Sequence, residues 1–351
     1  MGAGLSAFLM WGMQSYGRMI LMTSIRLTIQ RRFPVPTQVG GATVSVRDMR
    51  IDQVTRRAVI DRLAEVIRAN YIDPELAESM AREIETQDRA GRFSQITSAV
   101  ALCDVVNHVL RSVCSDSHLG WMWFSTEEEL RTPKADPVAV DQAYRDRAEL
   151  FQHGLHVVDC LEGNIGYVDL RNFFRKDVSG ASVSLAMEML ADTKALIIDL
   201  RENQGGDLSM VSYLCSYLLP SVRTPLLEEH YRPPQPVSTW FTEADLPSNR
   251  YLDRPVYLLT SRTTWSAAEA FCDVLKHLSR ATLVGETTRG GANGTTAFFS
   301  LSPHFDISLP ICRMINPVTG TNWEGIGVEP HVAVEATVAH RTAIEHARAA
   351  I

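Results

Sequence analysis

A serine at a predicted helix start could act as a nucleophile in this sequence. Ser266 follows a predicted strand and a short loop, and it opens the segment Ser266-Ala267-Ala268-Glu269. At the positive end of a helix, its hydroxyl could attack a carbonyl carbon while the backbone N–H of Ala267 donates to the developing oxyanion. A serine that only caps a helix has the same sequence signature, so this segment alone leaves both interpretations open.

A glycine-rich turn is the second candidate. Residues 199–206 read DLRENQGG and lie where a predicted buried strand passes into a helix. Paired glycines let the backbone approach a ligand closely, so the N–H groups of Gly205 and Gly206 could stabilise an oxyanion. A tight strand-to-helix turn without a chemical role is the alternative.

His118 is the third candidate, and it follows a predicted helix. A serine nucleophile needs a neutral imidazole to accept its proton, and a loop histidine among small polar residues can supply one. A lone histidine is seldom catalytic, and His118 stands out among the ten histidines only in combination with the other two segments. Cys114 is an alternative thiol nucleophile, but no oxyanion motif accompanies it.

Helices and strands must bring these segments together. Apolar residues recur at helical spacing from Asp52 to Val113, which predicts three amphipathic helices. Residues 126–150 are charged and contain two prolines, which predicts a connector, and residues 224–254 read as a long surface excursion. Continuous apolar strands alternate with helices elsewhere after residue 150, and this predicts an α/β layered core.

The predicted organisation has five parts along the chain. They are an N-terminal extension without an assigned role (1–50), a small three-helix bundle domain that carries Ser117 and His118 (51–125), a connector (126–150), an α/β catalytic core (151–337) and a C-terminal helix (338–351).

The bulk composition excludes some classes of protein. A formal net charge of −7 and scattered Lys and Arg residues give no basic surface, so nucleic-acid partners are not expected. The six cysteines form no CxxC pair and no Cys/His spacing suited to zinc. This pattern predicts free thiols in a reducing compartment, and we expect neither a metal nor a cofactor.

The first 30 residues are apolar in places. Arg18 and Arg26 interrupt the run before a span of about 18 apolar residues is reached, and no positively charged segment precedes it. We expect a cytoplasmic protein, with export or membrane association as the alternative. An amphipathic helix, a leader and a true start at Met22 all stay open.

Together, the three segments resemble the serine peptidases that include tail-specific (C-terminal processing) proteases, tricorn protease and the modules of interphotoreceptor retinoid-binding protein. The resemblance covers roughly residues 52–335 and implies a ClpP/crotonase-like ββα core. The stretches that carry it are IGYVDL at 165–170, DLRENQGG at 199–206, SAAE at 266–269, GETT at 285–288 and EGIGVEP at 324–330.

The resemblance also implies a role for each candidate residue. Ser266 attacks the carbonyl, His118 takes and returns the proton, and Ser117 and Glu324 position and polarise the imidazole. Tail-specific members instead use a lysine within a Gly-Lys-Gly stretch as the base, whereas residues 290–292 here read GGA. This departure favours the retinoid-binding-protein and tricorn branch, although Glu324 also fits an ordinary surface turn.

The interval between Gly120 and Gly163 is too short for the PDZ module of the tail-specific members. Selection of substrates by a free C-terminus through such a module is therefore not expected. The sequence does not fix the oligomeric state, and a homo-oligomer is compatible with it.

The sequence thus predicts a serine peptidase that hydrolyses peptide or protein substrates through an acyl-enzyme on Ser266. Two alternatives stay open. One is acyl transfer in peptide maturation within natural-product biosynthesis, such as cyclisation or leader removal. The other is non-catalytic binding of an apolar small ligand on the same fold.

Overall fold

The computed structural model describes residues 48–131 and 136–351 of the chain. The predicted N-terminal extension, with Met22, lies outside the described residues except for its last three positions. No helix among the described residues has the length and apolar character that a bilayer crossing requires. The chain divides into two compact units, which are residues 48–114, 119–144 and 297–309 for the first, and residues 115–118, 145–296 and 310–351 for the second.

Three helices build most of the first unit: α1 (Gln53–Asn70), α2 (Pro74–Arg89) and α3 (Ala99–Val113). Asp73 caps α2, because its carboxylate accepts from two backbone N–H groups of the first turn, and Pro74 occupies the first helical position. Apolar side chains at helical spacing, such as Val59, Leu63 and Ile67 of α1, are buried in one core. The prediction of three helices in an N-terminal helical domain is confirmed.

A three-stranded sheet completes this core, in the order β1 (Met122–Phe124), β10 (Phe305–Pro310), β9 (Thr296–Ser300). Strand β1 runs antiparallel to β10, and Phe305, Ile307 and Leu309 of β10 are buried with the helices. The unit boundaries therefore differ from the predicted domain boundaries. Residues 297–309, predicted to lie in the α/β core, belong to the first unit, where β10 pairs with β1. Residues 115–118, predicted to lie in the helical domain, belong to the second unit.

A six-stranded sheet forms the centre of the second unit. Its order is β12 (Val332–Ala333), β8 (Thr282–Gly285), β7 (Val256–Thr260), β4 (Ala195–Asp199), β3 (Ile165–Leu170), β2 (Leu155–Leu161). All neighbouring strands are parallel except β2 and β3, which form an antiparallel hairpin around Gly163. The remaining helices of this unit are α6 (Lys176–Met189), α7 (Leu208–Leu218), α8 (Ala267–His277) and α9 (Ala336–Ala350).

Alternate residues of the central strands enter two different cores. Leu196 and Ile198 of β4 pack in the core that holds α7 and α8, whereas Ile197 packs in the core on the opposite face. That second core includes Ala339, Ala343 and Ala347, which repeat every four residues along α9. Helices thus cover both faces of the sheet, and the predicted α/β class with an N-terminal helical domain is confirmed.

Two segments that were predicted to lack regular structure contain it. Residues of the predicted connector form α4 (Glu127–Arg131) and α5 (Pro137–Leu150), since a proline at the first position of a helix favours its start. The predicted surface excursion contains β5 (Pro225–Tyr231) and β6 (Ser238–Phe241), which form a second sheet with β11 (Cys312–Ile315). Pairing with β11, which is distant in sequence, stabilises these strands. The residue pattern of a single segment does not indicate such pairing.

Candidate active site

Ser266 lies in the turn between the end of β7 and the start of α8. Its backbone has φ 57° and ψ −121°, a positive φ that residues other than glycine rarely adopt. The turn 199–206 lies directly beside it, since a Cβ added at Gly205 would approach the Cβ of Ser266 to 2.8 Å. Glycine at position 205 is therefore required for the close approach of the two turns.

Glu269 holds this strained turn. Its buried carboxylate accepts hydrogen bonds from the backbone N–H of Ser266 at 2.9 Å, of Gly290 at 2.6 Å and of Gly291 at 2.8 Å, and from Thr288 Oγ1 at 2.6 Å. Burial raises the pKa of Glu269, and these donors oppose the increase. A glutamate three residues after a helix cap is the sequence signal that could have identified this role.

His118 forms a hydroxyl–imidazole pair with the serine. Its Nε2 lies 3.0 Å from Oγ of Ser266, although 148 positions separate the two residues. Burial lowers the pKa of His118 to about 4, with Arg289 adding to the decrease and Asp116 opposing it. The imidazole is therefore neutral at pH 7, which is the form that can accept a proton.

Glu324 and Asp116 lie beside this pair. One carboxylate oxygen of each and one imidazole nitrogen are within 4.8 Å of one another. Oε2 of Glu324 accepts from the backbone N–H groups of Ala292 at 2.6 Å and Asn293 at 3.0 Å, and Oδ2 of Asp116 accepts from Asn293 Nδ2 at 3.0 Å. Burial raises the pKa of Glu324 to about 7, and the Asp116 charge adds to the increase. Glu324 is thus partly buried beside the Ser266–His118 pair, a setting that differs from that of an exposed turn residue.

Asp116 also accepts a 2.8 Å hydrogen bond from the backbone N–H of His118, which fixes the loop that carries the imidazole. Neither Asp116 nor Asn293 was predicted from the sequence. An aspartate two residues before a loop histidine is a signal for an Asx-type turn, but such turns are common and do not identify a site.

The Trp265 side chain links Ser117 to the imidazole. Its Oγ accepts a 2.9 Å hydrogen bond from Nε1 of Trp265, and the indole stacks on the His118 ring at a centroid distance of 4.3 Å and an interplanar angle of 21°. No direct hydrogen bond between Ser117 and the ring occurs among the described residues.

The oxyanion-hole candidates differ in their availability. The N–H of Gly205 donates to Oδ1 of Asn203 at 2.8 Å, so this predicted donor is occupied within the turn. No protein acceptor for the N–H of Gly206 or of Ala267 occurs in the part of the chain that the structure describes. Gly206 has φ 143°, and a Cβ there would collide with the Phe173 carbonyl. Gly206 and Ala267 are therefore the donors left for an oxyanion.

Asn203 anchors this turn from three sides. Its fully buried side chain donates to the carbonyl of Leu170 at 2.9 Å as well as accepting from Gly205, and its own carbonyl accepts from the N–H of Trp265 at 3.1 Å. One residue thus links the end of β3, the glycine turn and the residue before the nucleophile.

Metal binding and a thiol nucleophile are two other chemistries that the side chains near this site could provide. Asp116, His118 and Glu324 could ligate a cation, but both carboxylates already accept hydrogen bonds from protein donors. Cys114 is buried and its Sγ lies 3.3 Å from the hydroxyl of Tyr71, which is the setting of a structural thiol. All six cysteines are free, as predicted.

Comparison with known families gives two matches. Residues 164–334 match the family described as peptidase family S41, and residues 53–157 match the N-terminal domain of peptidase S41 in eukaryotic IRBP, the interphotoreceptor retinoid-binding protein. Together the two matches run from residue 53 to residue 334 with one short gap. All the residues of the candidate site lie within them.

Solved structures show the same fold at low sequence identity. A Parabacteroides merdae structure assigned as a peptidase is 19% identical, with a TM-score of 0.60 over 83% of this chain and 96% of that chain. The photosystem II D1 C-terminal processing protease is 14% identical, with a TM-score of 0.50 over 82% and 95%. Tricorn protease is 15% identical, with a TM-score of 0.52 over 90% of this chain and 38% of its own. The chain therefore belongs to peptidase family S41 and is a serine-type peptidase.

Proposed function

We propose that this peptidase hydrolyses peptide bonds through an acyl-enzyme on Ser266, with His118 as the general base. The observation that carries the proposal is the 3.0 Å separation of Ser266 Oγ and His118 Nε2. A serine hydroxyl is a weak nucleophile unless an adjacent base accepts its proton, and this distance is within the range that proton transfer needs. The neutral state of the partly buried imidazole supports the same assignment.

The reaction proceeds in two halves. In the first, Ser266 Oγ bonds to the substrate carbonyl carbon as its proton passes to Nε2 of His118, and the imidazolium then protonates the leaving amine as the C–N bond breaks. In the second, His118 takes a proton from water, the hydroxide oxygen bonds to the acyl carbon, and the proton returns to Ser266 Oγ as the ester bond breaks. The N–H groups of Gly206 and Ala267 stabilise the oxyanion in both halves.

Glu324 stabilises the imidazolium that forms in each half. Its carboxylate lies near the imidazole and is held by the N–H groups of Ala292 and Asn293, so its charge cannot move away during the reaction. The set of Ser266, His118 and Glu324 without a lysine base also supports placing the chain in the retinoid-binding-protein and tricorn branch.

Labelling with a fluorophosphonate tests the assignment of the nucleophile. We expect one covalent adduct per chain, on the peptide that contains Ser266, because a fluorophosphonate reacts with an activated serine and not with ordinary hydroxyls. Intact-protein and peptide mass spectrometry would measure the adduct. Heat-denatured protein is the control and should stay unlabelled, and an adduct on any other serine would contradict the assignment.

The pH dependence of kcat/KM tests the role of Glu324. Activity should rise with pH in two steps, first as His118 loses its proton near its lowered pKa of about 4, and then as Glu324 ionises near its raised pKa of about 7. Glu324→Gln should remove the upper step, because the glutamine side chain carries no charge at any pH. The kcat/KM of this variant should reach a plateau about tenfold below the wild-type maximum.

Initial rates with one peptide substrate from about pH 3 to about pH 9 would resolve the two steps. Glu286→Gln is a matched control, since Glu286 is a half-buried acid of the same unit that does not bond to the candidate catalytic residues. An upper step that survives in Glu324→Gln would show that another group titrates near pH 7.

The two alternative functions predict different outcomes. A protein that only binds an apolar ligand has no need for a hydroxyl and an imidazole at hydrogen-bond distance, so the Ser266–His118 geometry supports a peptidase. Hydrolysis and acyl transfer share the same acyl-enzyme and differ in the acceptor. Mass analysis of products from candidate peptides distinguishes them, because hydrolysis adds the mass of water and cyclisation does not.

A further inference from the structure

Trp265 stacks on the imidazole from the position directly before the nucleophile. Its ring lies 4.3 Å from the His118 ring, centroid to centroid, at an interplanar angle of 21°. Ser266, the next residue, bonds to Nε2 of the same imidazole at 3.0 Å. Two consecutive residues of one turn therefore contact the imidazole, one on its face and one at its edge.

The indole is itself held at several points. Its Nε1 donates to Ser117 Oγ at 2.9 Å, and its backbone N–H donates to the Asn203 carbonyl at 3.1 Å. The guanidinium carbon of Arg289 lies 4.7 Å from the centroid of the indole. These contacts restrict both the backbone and the ring of Trp265.

The imidazole has few other restraints. Its Nδ1 is buried and has no hydrogen-bond partner among the described residues, and its Nε2 is engaged by the nucleophile. A single hydrogen bond fixes the position of Nε2 but not the tilt of the ring about that bond. The planar contact with the indole supplies the missing restraint.

We propose that Trp265 is a positioning residue for His118, and that Ser117 acts on the imidazole through Trp265. This inference rests on the proposed function for its effect on rate. The role of Ser117 is then indirect: the Ser117 hydroxyl orients the indole, and the indole orients the base.

Gly291 leaves room for this stack because it has no side chain. A Cβ added at position 291 would approach Cε1 of His118 to 2.8 Å and would lie even closer to Nε1 of Trp265. A side chain at position 291 and the Trp265–His118 stack therefore exclude each other. The stacked rings therefore leave no room for a lysine side chain at position 291, the middle of the 290–292 stretch.

A double-mutant cycle between Ser117 and Trp265 tests the proposal. Ser117→Ala and Trp265→Phe should each lower kcat about five- to tenfold with little change in KM, since a tilted base impairs proton transfer more than binding. The double variant should be no slower than Trp265→Phe, because a phenyl ring has no N–H to donate to Ser117. A further loss in the double variant, equal to that of Ser117→Ala alone, would overturn the proposal.

Trp240→Phe is a matched control for the loss of an indole. Trp240 is half-buried in the same unit and its Nε1 has no partner among the described residues, so this change should leave kcat unchanged. Circular dichroism and the thermal midpoint of each variant would confirm that all of them fold.

Fluorescence separates this inference from the proposed function. Protonation of an imidazole stacked on an indole quenches the indole emission, so the difference in emission between Ser266→Ala and Ser266→Ala/Trp265→Phe should titrate with His118 at acid pH. The titration should disappear when His118→Asn is added. A pH-independent difference would overturn the stack, whereas peptide cleavage by Ser266→Ala would overturn the proposed function alone.

Discussion

Ser266→Ala should lower kcat/KM for peptide cleavage by roughly 10⁴- to 10⁶-fold, the loss expected when a serine protease loses its nucleophile. The variant keeps His118 and the free N–H groups of Gly206 and Ala267, so it can still bind a substrate and polarise its carbonyl. It can no longer form the acyl-enzyme. Purified variant and wild-type protein would be compared with the same fluorogenic peptide, and KM should change little.

Ser221→Ala is the control for this experiment, because Ser221 is exposed and follows α7, away from the nucleophile turn. The free energy of unfolding should be nearly unchanged or higher in Ser266→Ala, since alanine removes a polar group from a strained site made for function. Cleavage at the wild-type rate by Ser266→Ala would refute the assignment of the nucleophile.

The sequence predicts those parts of the fold that have a local cause. Apolar spacing identifies α1 to α3 and the buried strands, because each pattern corresponds to a face that must leave water. Strands β5 and β6 were missed, since Glu228, Glu229 and His230 in β5 mask its alternation and its partner β11 lies far along the chain. Pairing between distant segments stabilises such strands, and a local window cannot detect it.

The candidate site shows the same limit. Ser266, His118 and Glu324 were predicted by combining segments that are individually ambiguous, and the structure brings these three residues together. Trp265 and Asn293 were missed because an aromatic side chain and an amide are ordinary core and loop residues until their neighbours are known. Their neighbours are Ser117 and Asp116, both more than 140 positions away.

Gly205 illustrates how a motif can locate a turn without showing which of its N–H groups is free. The paired glycines predict a close backbone approach, and the structure has it, with positive φ at both positions. Which N–H stays free depends on Asn203, whose side chain turns back to accept from Gly205. Sequence spacing allows either N–H to face a ligand, and only the side-chain geometry distinguishes them.

His118→Ala should lower kcat/KM about 10⁴-fold, because the Ser266 hydroxyl then has no base within reach. The deleted ring leaves a cavity on the face of the Trp265 indole, which stacks on the imidazole in the intact protein. Added imidazole should bind in this cavity and restore activity about tenfold, since a buried cavity accepts a molecule of matching shape. Rates at increasing imidazole concentration would show saturation.

Pyrrole is the control for the rescue, because it has the shape of imidazole but no basic nitrogen. It should compete with imidazole for the cavity and give no activity by itself. Imidazole should also give no activity with Ser266→Ala/His118→Ala, because the restored base would have no hydroxyl to deprotonate. Equal rescue by pyrrole and imidazole would contradict a proton-accepting role for His118, and the loss in His118→Ala would then reflect packing against Trp265 alone.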